Sequence, residues 1–279
     1  MGLRLSGMPR KAITAKLALA TVVALSACAQ DGVGTTAGAS GQDSAGANSG
    51  DIPSIYLDRS LQFLVGGVAT KREGYFERVQ RCRNAGVPTR PLSDAEAALI
   101  DTGRRQYWRT AEGVAIREER WVADHAGQCH FELRRTGQHV YYDASGSVSL
   151  DLETGEVTKG PVSVRHLDRA PAGTAKTPPA PEWVGPSTRT VAGHECEQWV
   201  SPDGASVCTW SEGHRWGYVS TITSVYDESR QDVEALILEA APAPGKVGIH
   251  VSTRAFTVGG PIDRAAMRPA ELAAGGGSP

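Results

Sequence analysis

Residues 129–152, CHFELRRTGQHVYYDASGSVSLDL, alternate apolar and polar side chains along most of their length. Because successive side chains of a β-strand point to opposite faces, a period of two predicts strands that bury one face. The Thr136-Gly137 pair inside the stretch and the Thr154-Gly155 pair after it predict turns, so we expect a β-meander. The alternating apolar residues are Cys129, Phe131, Leu133, Val148, Leu150 and Leu152.

A second β-rich region follows. Residues 191–210 contain apolar runs on either side of Pro202-Asp203-Gly204, which is a turn signal, and residues 216–226 are rich in Thr, Ile, Val and aromatic residues. Residues 232–240, DVEALILEA, fit either a helix or a buried strand. Alternation over residues 247–251 predicts a final strand.

Three short helices are predicted before residue 108. The apolar residues of segments 61–68 and 75–82 recur three and four positions apart, as on one helix face. Ser93 followed by Glu96 is typical of a capping box at the start of a third helix. The predicted fold class is therefore α+β: a mainly antiparallel meander or half-open sheet with short N-terminal helices.

The first 27 residues have the composition of an export signal. They contain four basic residues and no acidic one, followed by an apolar run over residues 17–25. That run is shorter than the roughly 20 residues that span a bilayer, so it predicts a signal peptide and not a membrane helix. The basic residues are Arg4, Arg10, Lys11 and Lys16.

The tetrad Leu25-Ser26-Ala27-Cys28 resembles the lipobox of bacterial lipoproteins. The resemblance covers only this leader. It implies export, cleavage before Cys28, and acylation of the Cys28 thiol by diacylglycerol, with palmitate among the attached acyl chains. The alternative is an ordinary signal peptide that is cleaved after Ala27.

The same resemblance predicts where the protein resides. The residue after Cys28 is Ala29. In the lipoproteins it resembles, an aspartate at this position would oppose transfer to the outer membrane. An outer-membrane location facing the periplasm is therefore favoured if the organism has two membranes. Otherwise we expect the outer face of the cell membrane. Once the four basic residues of the leader are removed, the chain has 25 basic and 31 acidic residues, a net charge of about −6. We therefore expect the lipid to supply the attachment to the envelope.

Composition divides the rest of the chain into segments. The stretch after Cys28 is rich in Gly, Ala and Ser and has a single branched aliphatic residue, Val33, which predicts a flexible linker. The predicted boundaries are 1–27 for the signal peptide, 28–50 for the acylated cysteine and linker, 51–168 for helices and β-meander, 169–182 for a Pro/Ala-rich linker or long loop, 183–267 for a second β unit, and 268–279 for a loose tail. The second β unit is either a separate domain or part of the same domain as the first.

Four cysteines remain once Cys28 is assigned to acylation, and an even number in an exported chain predicts disulfides. Three pairings are possible. We favour Cys196–Cys208, because the intervening turn places two strands side by side, which leaves Cys82–Cys129. The alternative is a zinc site formed by His194, Cys196, Cys208 and His214, although these residues lack the usual close cysteine spacing.

No catalytic motif is present, so no catalytic residue, metal or cofactor is predicted, and the near-neutral net charge of −2 does not favour nucleic-acid binding. We expect a non-catalytic binding or assembly role for an envelope protein or an apolar ligand. The alternatives are a hydrolase with an unrecognised Ser/His/Asp site and an inhibitor or immunity-type lipoprotein. Trp199, Trp210 and Trp216 are the candidate binding residues, and core packing is the competing interpretation.

Overall fold

The computed structural model of the chain describes residues 52–163, 182–218 and 235–274. The leader, Cys28, the linker and most of the Pro/Ala-rich connection lie outside the described residues. The greater part of the predicted strand 216–226 lies outside them as well. In the described part of the chain, no helix is both long enough and apolar enough to cross a membrane.

Eleven strands form one antiparallel sheet in the order β6-β5-β4-β3-β2-β1-β11-β10-β9-β8-β7. The two β-rich regions predicted from the sequence are therefore the two halves of a single sheet. The strands are β1 Ile55–Leu64, β2 Thr102–Arg109, β3 Val114–His125, β4 Phe131–Asp143, β5 Gly146–Asp151, β6 Val157–Gly160, β7 Val184–Val191, β8 His194–Val200, β9 Ser206–Trp210, β10 Ile237–Ala241 and β11 Gly248–Val258.

The helices are short and follow three of the strands. The first two follow β1, one 3₁₀ helix follows β9, and the last two follow β11. They are α1 Thr70–Asn84, α2 Asp94–Leu99, the 3₁₀ helix Ser211–Trp216, α3 Arg264–Met267 and α4 Ala270–Ala274. This is the predicted class, a mainly antiparallel sheet with short helices and two disulfides.

Pairing of β1 with β11 joins the two halves at the centre of the sheet. The pairing runs from Ile55 opposite Val258 to Leu64 opposite Gly248. One face of β1 carries Ile55 and Leu57 into a core cluster shared with β8, β9 and β10. Leu61 lies in a second cluster with residues of β8–β11. The core is therefore built from residues that are far apart in sequence, which only the completed sheet brings together.

The helices cover two further apolar clusters. Tyr75 and Val79 of α1 pack with Phe131 at the start of β4. Met267 of α3 and Leu272 of α4 cover aromatic residues of β2 and β4 on another part of the sheet. Because Leu272 is fully buried, the prediction of a loose tail from residue 268 is wrong for the part that α4 occupies.

Two local predictions were wrong. Segment 61–68 was expected to be a helix, but its first residues belong to β1, because β2 and β11 pair with them on both sides. A turn was expected at Thr136-Gly137, but β4 continues through these residues. Gly137 has a φ of +130°, and a Cβ there would overlap the carbonyl oxygen of Glu118 on β3. This glycine therefore permits close approach of two strands and not a reversal of the chain.

The structure contains both disulfides that the sequence favoured. Cys82 of α1 is bonded to Cys129, with Cα atoms 5.8 Å apart, and Cys196 of β8 is bonded to Cys208 of β9, with Cα atoms 5.5 Å apart. The first disulfide ties α1 to the loop before β4. The second lies inside the core cluster of β8–β10.

Candidate functional site

A pocket of about 280 Å³ lies where β1 ends, beside β3 and the start of β11. We call it the end pocket. Apolar side chains provide most of its wall, and the start of α1 provides a polar side. The residues that line it are Phe63, Leu64, Val65, Thr70, Lys71, Asp101, Thr102, Arg120, Trp121, Val122, Val247, Gly248 and Ile249.

Two turns carry exposed valines to the mouth of the end pocket. Val65 lies in a tight turn in which its backbone pairs with that of Val68, and this turn approaches Gly245 in the loop before β11. Val65 is 48% exposed, and Val247 is 63% exposed. Apolar side chains so close together and so open to water are typical of binding sites.

Asp101 builds the polar side of the end pocket. Its Oδ2 accepts hydrogen bonds from the backbone N–H groups of Lys71 (2.8 Å) and Arg72 (3.1 Å) at the start of α1. Its backbone carbonyl accepts a hydrogen bond from the N–H of Phe63 at 2.8 Å. A single residue thus fixes the end of β1 against the start of α1, and it does so with a φ of +63°.

The two cations that line the end pocket differ in their partners. The Arg120 guanidinium lies 4.6 Å from the centre of the Phe63 ring and donates two hydrogen bonds to Oε1 of Glu118, at 2.9 and 2.7 Å. Lys71 is exposed, and within the described residues it makes no ion pair. The charge that the end pocket offers to a ligand is therefore mainly the ammonium group of Lys71.

A second cavity, of about 170 Å³, lies on strands β7–β11 and is polar; we call it the polar cleft. It contains a Ser–His pair, in which Nδ1 of His250 lies 3.4 Å from Oγ of Ser252. These two residues are two positions apart on β11, so their side chains lie on the same face of the sheet. Glu239, the nearby carboxylate, pairs with Arg189 at 3.2 Å. In the described residues no carboxylate orients His250, so the pair lacks the third member of a nucleophile–base–carboxylate arrangement.

The three candidate tryptophans do not form a common surface. Trp199 is only 3% exposed and Trp210 only 4%, and they belong to different core clusters. Trp216 is half-buried against the cluster that contains Trp210. Trp199 and Trp210 therefore offer almost no surface to a ligand, because their side chains are packed inside the core clusters.

The cysteines and histidines of the alternative zinc site have other partners. Cys196 and Cys208 are oxidised to a disulfide and supply no thiolate. The ring of His194 packs against Phe256 with centroids 4.6 Å apart, and Nδ1 of His214 lies 2.7 Å from the carbonyl oxygen of Ser211. Across residues 52–163, 182–218 and 235–274, no group of three or more His, Cys, Asp or Glu side chains is placed to hold a metal ion.

Sequence reasoning missed the end pocket, because its walls come from five separated segments of the chain. A signal was nevertheless present. The stretches Val65-Gly-Gly-Val68 and Pro244-Gly-Lys-Val247 are turn sequences that carry valine, and turns are normally polar.

No model of a known protein family matches the chain, and no curated protein shows significant sequence similarity to it.

Proposed function

We propose that this protein is a lipid-anchored lipoprotein of the bacterial cell envelope, whose body binds an apolar ligand in the end pocket without catalysing a reaction. The lipobox-like tetrad ending at Cys28 supports the anchor. The two disulfides fit an oxidising compartment, as expected for an exported chain.

The observation that carries the binding role is the end pocket itself. It combines apolar walls with exposed valines at its mouth, and a ligand would remove both from water. Removing apolar surface from water is favourable by about 25 cal/mol per Å². The polar cleft gives catalysis less support, because nothing in the described residues orients its histidine.

Titration with the neutral apolar dye N-phenyl-1-naphthylamine tests the binding role. We expect saturable, one-to-one enhancement of dye fluorescence, with energy transfer from Trp121, which lines the end pocket. Val247→Glu should weaken dye binding at least tenfold, because it places a charge at an apolar mouth. Trp121→Phe should reduce the energy transfer without abolishing dye binding.

Val184→Glu is the matched control. Val184 is 73% exposed, as open to water as Val247, but it lies on the edge strand β7 and does not line the end pocket. It should bind the dye like the unmodified protein. The proposed role would be contradicted if the protein did not bind the dye, or if Val247→Glu and Val184→Glu changed dye binding equally.

A further inference from the structure

We propose that the end pocket selects single-chain amphiphiles with an anionic head group, and that it takes them from solution and not from a bilayer. This inference rests on the proposed binding function and specifies its ligand. Two features carry it: the charges on the polar side of the pocket and its volume, which is too small for a membrane phospholipid with two long chains.

The polar side of the pocket favours a negative head group. Asp101 already accepts two N–H bonds from α1, and Arg120 is paired with Glu118. The exposed ammonium of Lys71 has no ion-pair partner in the described residues, and it lies in the first turn of the 15-residue helix α1. The Asp101 carboxylate is only 5% exposed, whereas Lys71 is open to water, so an anionic head is favoured over a cationic one.

The apolar side of the pocket accepts an alkyl chain. Phe63, Val122, Val247 and Ile249 give it a wall without hydrogen-bonding side-chain atoms. A volume of about 280 Å³ is at the lower limit of typical small-molecule pockets, which are about 300–1,000 Å³. The space therefore suits one short chain and not the two long chains of a membrane phospholipid.

Displacement of the naphthylamine dye from the full-length Cys28→Ser chain tests the head-group preference, because this substitution removes the protein's own acyl chains as competitors. The probes are decanoate, decanol and decylammonium, which share one alkyl chain. Decanoate should displace the dye at the lowest concentration and decylammonium at the highest. High salt should reduce this difference, since it screens charges.

Lys71→Glu should weaken decanoate binding about three- to tenfold and leave decanol unchanged, because only decanoate carries a charge. Lys159→Glu, which reverses an exposed charge on β6 outside the pocket, is the matched control and should change neither. If the three probes displace the dye equally, or if Lys71→Glu leaves decanoate unchanged, the head-group inference is wrong although the pocket still binds. If the dye does not bind at all, the proposed function fails first.

Sedimentation with phosphatidylglycerol vesicles tests the source of the ligand. The Cys28→Ser chain should stay in the supernatant while it still binds decanoate. If the Cys28→Ser chain sediments with the vesicles, and Val247→Glu or Lys71→Glu abolishes this sedimentation, the pocket engages a bilayer lipid. That result would overturn this part of the inference.

Discussion

His139 on β4 is a titratable residue in the core of the protein. Its ring is fully buried and stacks on Trp108, with centroids 5.6 Å apart and planes at 9°. Nε2 lies 3.1 Å from the backbone carbonyl oxygen of Met267 on α3. Burial, and to a smaller extent the nearby positive charge of Arg117, lower the pKa of His139 from 6.5 to about 4, although the hydrogen bond to Met267 and the charge of Glu119 act in the opposite direction.

The low pKa of His139 predicts that the protein loses stability in mild acid. Above pH 6.5 the imidazole is neutral in both the folded and the unfolded state, so it contributes no pH dependence. Between pH 6.5 and 4 the unfolded chain binds a proton that the folded protein does not. The free energy of unfolding should therefore fall by about 3 kcal/mol by pH 4 from this group alone.

Urea unfolding at pH 7 and at pH 4.5 measures this effect. His139→Gln should lose less stability between the two pH values than the unmodified protein, because glutamine does not titrate. His250→Gln, at an exposed histidine, should behave like the unmodified protein. Equal losses in all three proteins would show that His139 is protonated in the folded state.

At the scale of single elements, α1 and α2 begin in different ways. α2 has its own capping box, in which Ser93 and Glu96 satisfy each other's backbone N–H groups. α1 has no side-chain cap at its N-cap residue, Ala69, and depends on Asp101 from the junction before β2. The start of α2 is thus encoded locally, whereas the start of α1 requires the tertiary structure.

Asp101→Ala should lower the free energy of unfolding by about 2 kcal/mol, because two N–H groups of α1 lose their acceptor and alanine disfavours a positive φ. It should also weaken dye binding, since Asp101 places the polar side of the end pocket. Asp101→Asn is the control: it keeps an acceptor oxygen and tolerates this backbone conformation, so it should retain most of the stability. Chemical unfolding of both variants makes the comparison, and an equal loss in both would contradict the capping role.

Two elements show why local patterns were ambiguous. The spacing of Leu61, Leu64 and Val65 satisfies a helix, but pairing on both edges makes β1 a strand. Residues 232–240 fit either structure, and β10 is a strand because β9 and β11 lie on either side of it. In both cases the neighbouring strands, and not the local spacing, determine the secondary structure.

At the scale of the whole molecule, the buried Arg59 lies on β1 between the two core clusters and donates from Nη1 to the carbonyl oxygen of Ile237 on β10, at 3.2 Å. The two halves of the sheet are therefore linked by a long-range hydrogen bond as well as by the pairing of β1 with β11. The end pocket depends on this continuity, because side chains from both halves of the sheet line it.

The whole-molecule proposal predicts a simple change in location. Cys28→Ser should release the protein from the membrane fraction, because the proposed attachment depends on two acyl chains at Cys28 and not on the acidic body. Mass spectrometry of the unmodified exported protein should find an N-terminus at Cys28 with the mass of diacylglycerol. A Cys28→Ser protein that still sediments with membranes would refute the anchor.

The sequence by itself determined the fold class, the capped start of α2 and the favoured cysteine pairs. Period-two alternation, capping residues and turn residues act over a few positions, so each can be recognised locally. Only the tertiary structure decided that β1 is a strand, that Trp199 and Trp210 are buried, and that the end pocket exists. These features arise when strands distant in sequence pair, and the contacts that the completed sheet creates outweigh the weaker local preferences that a sequence displays.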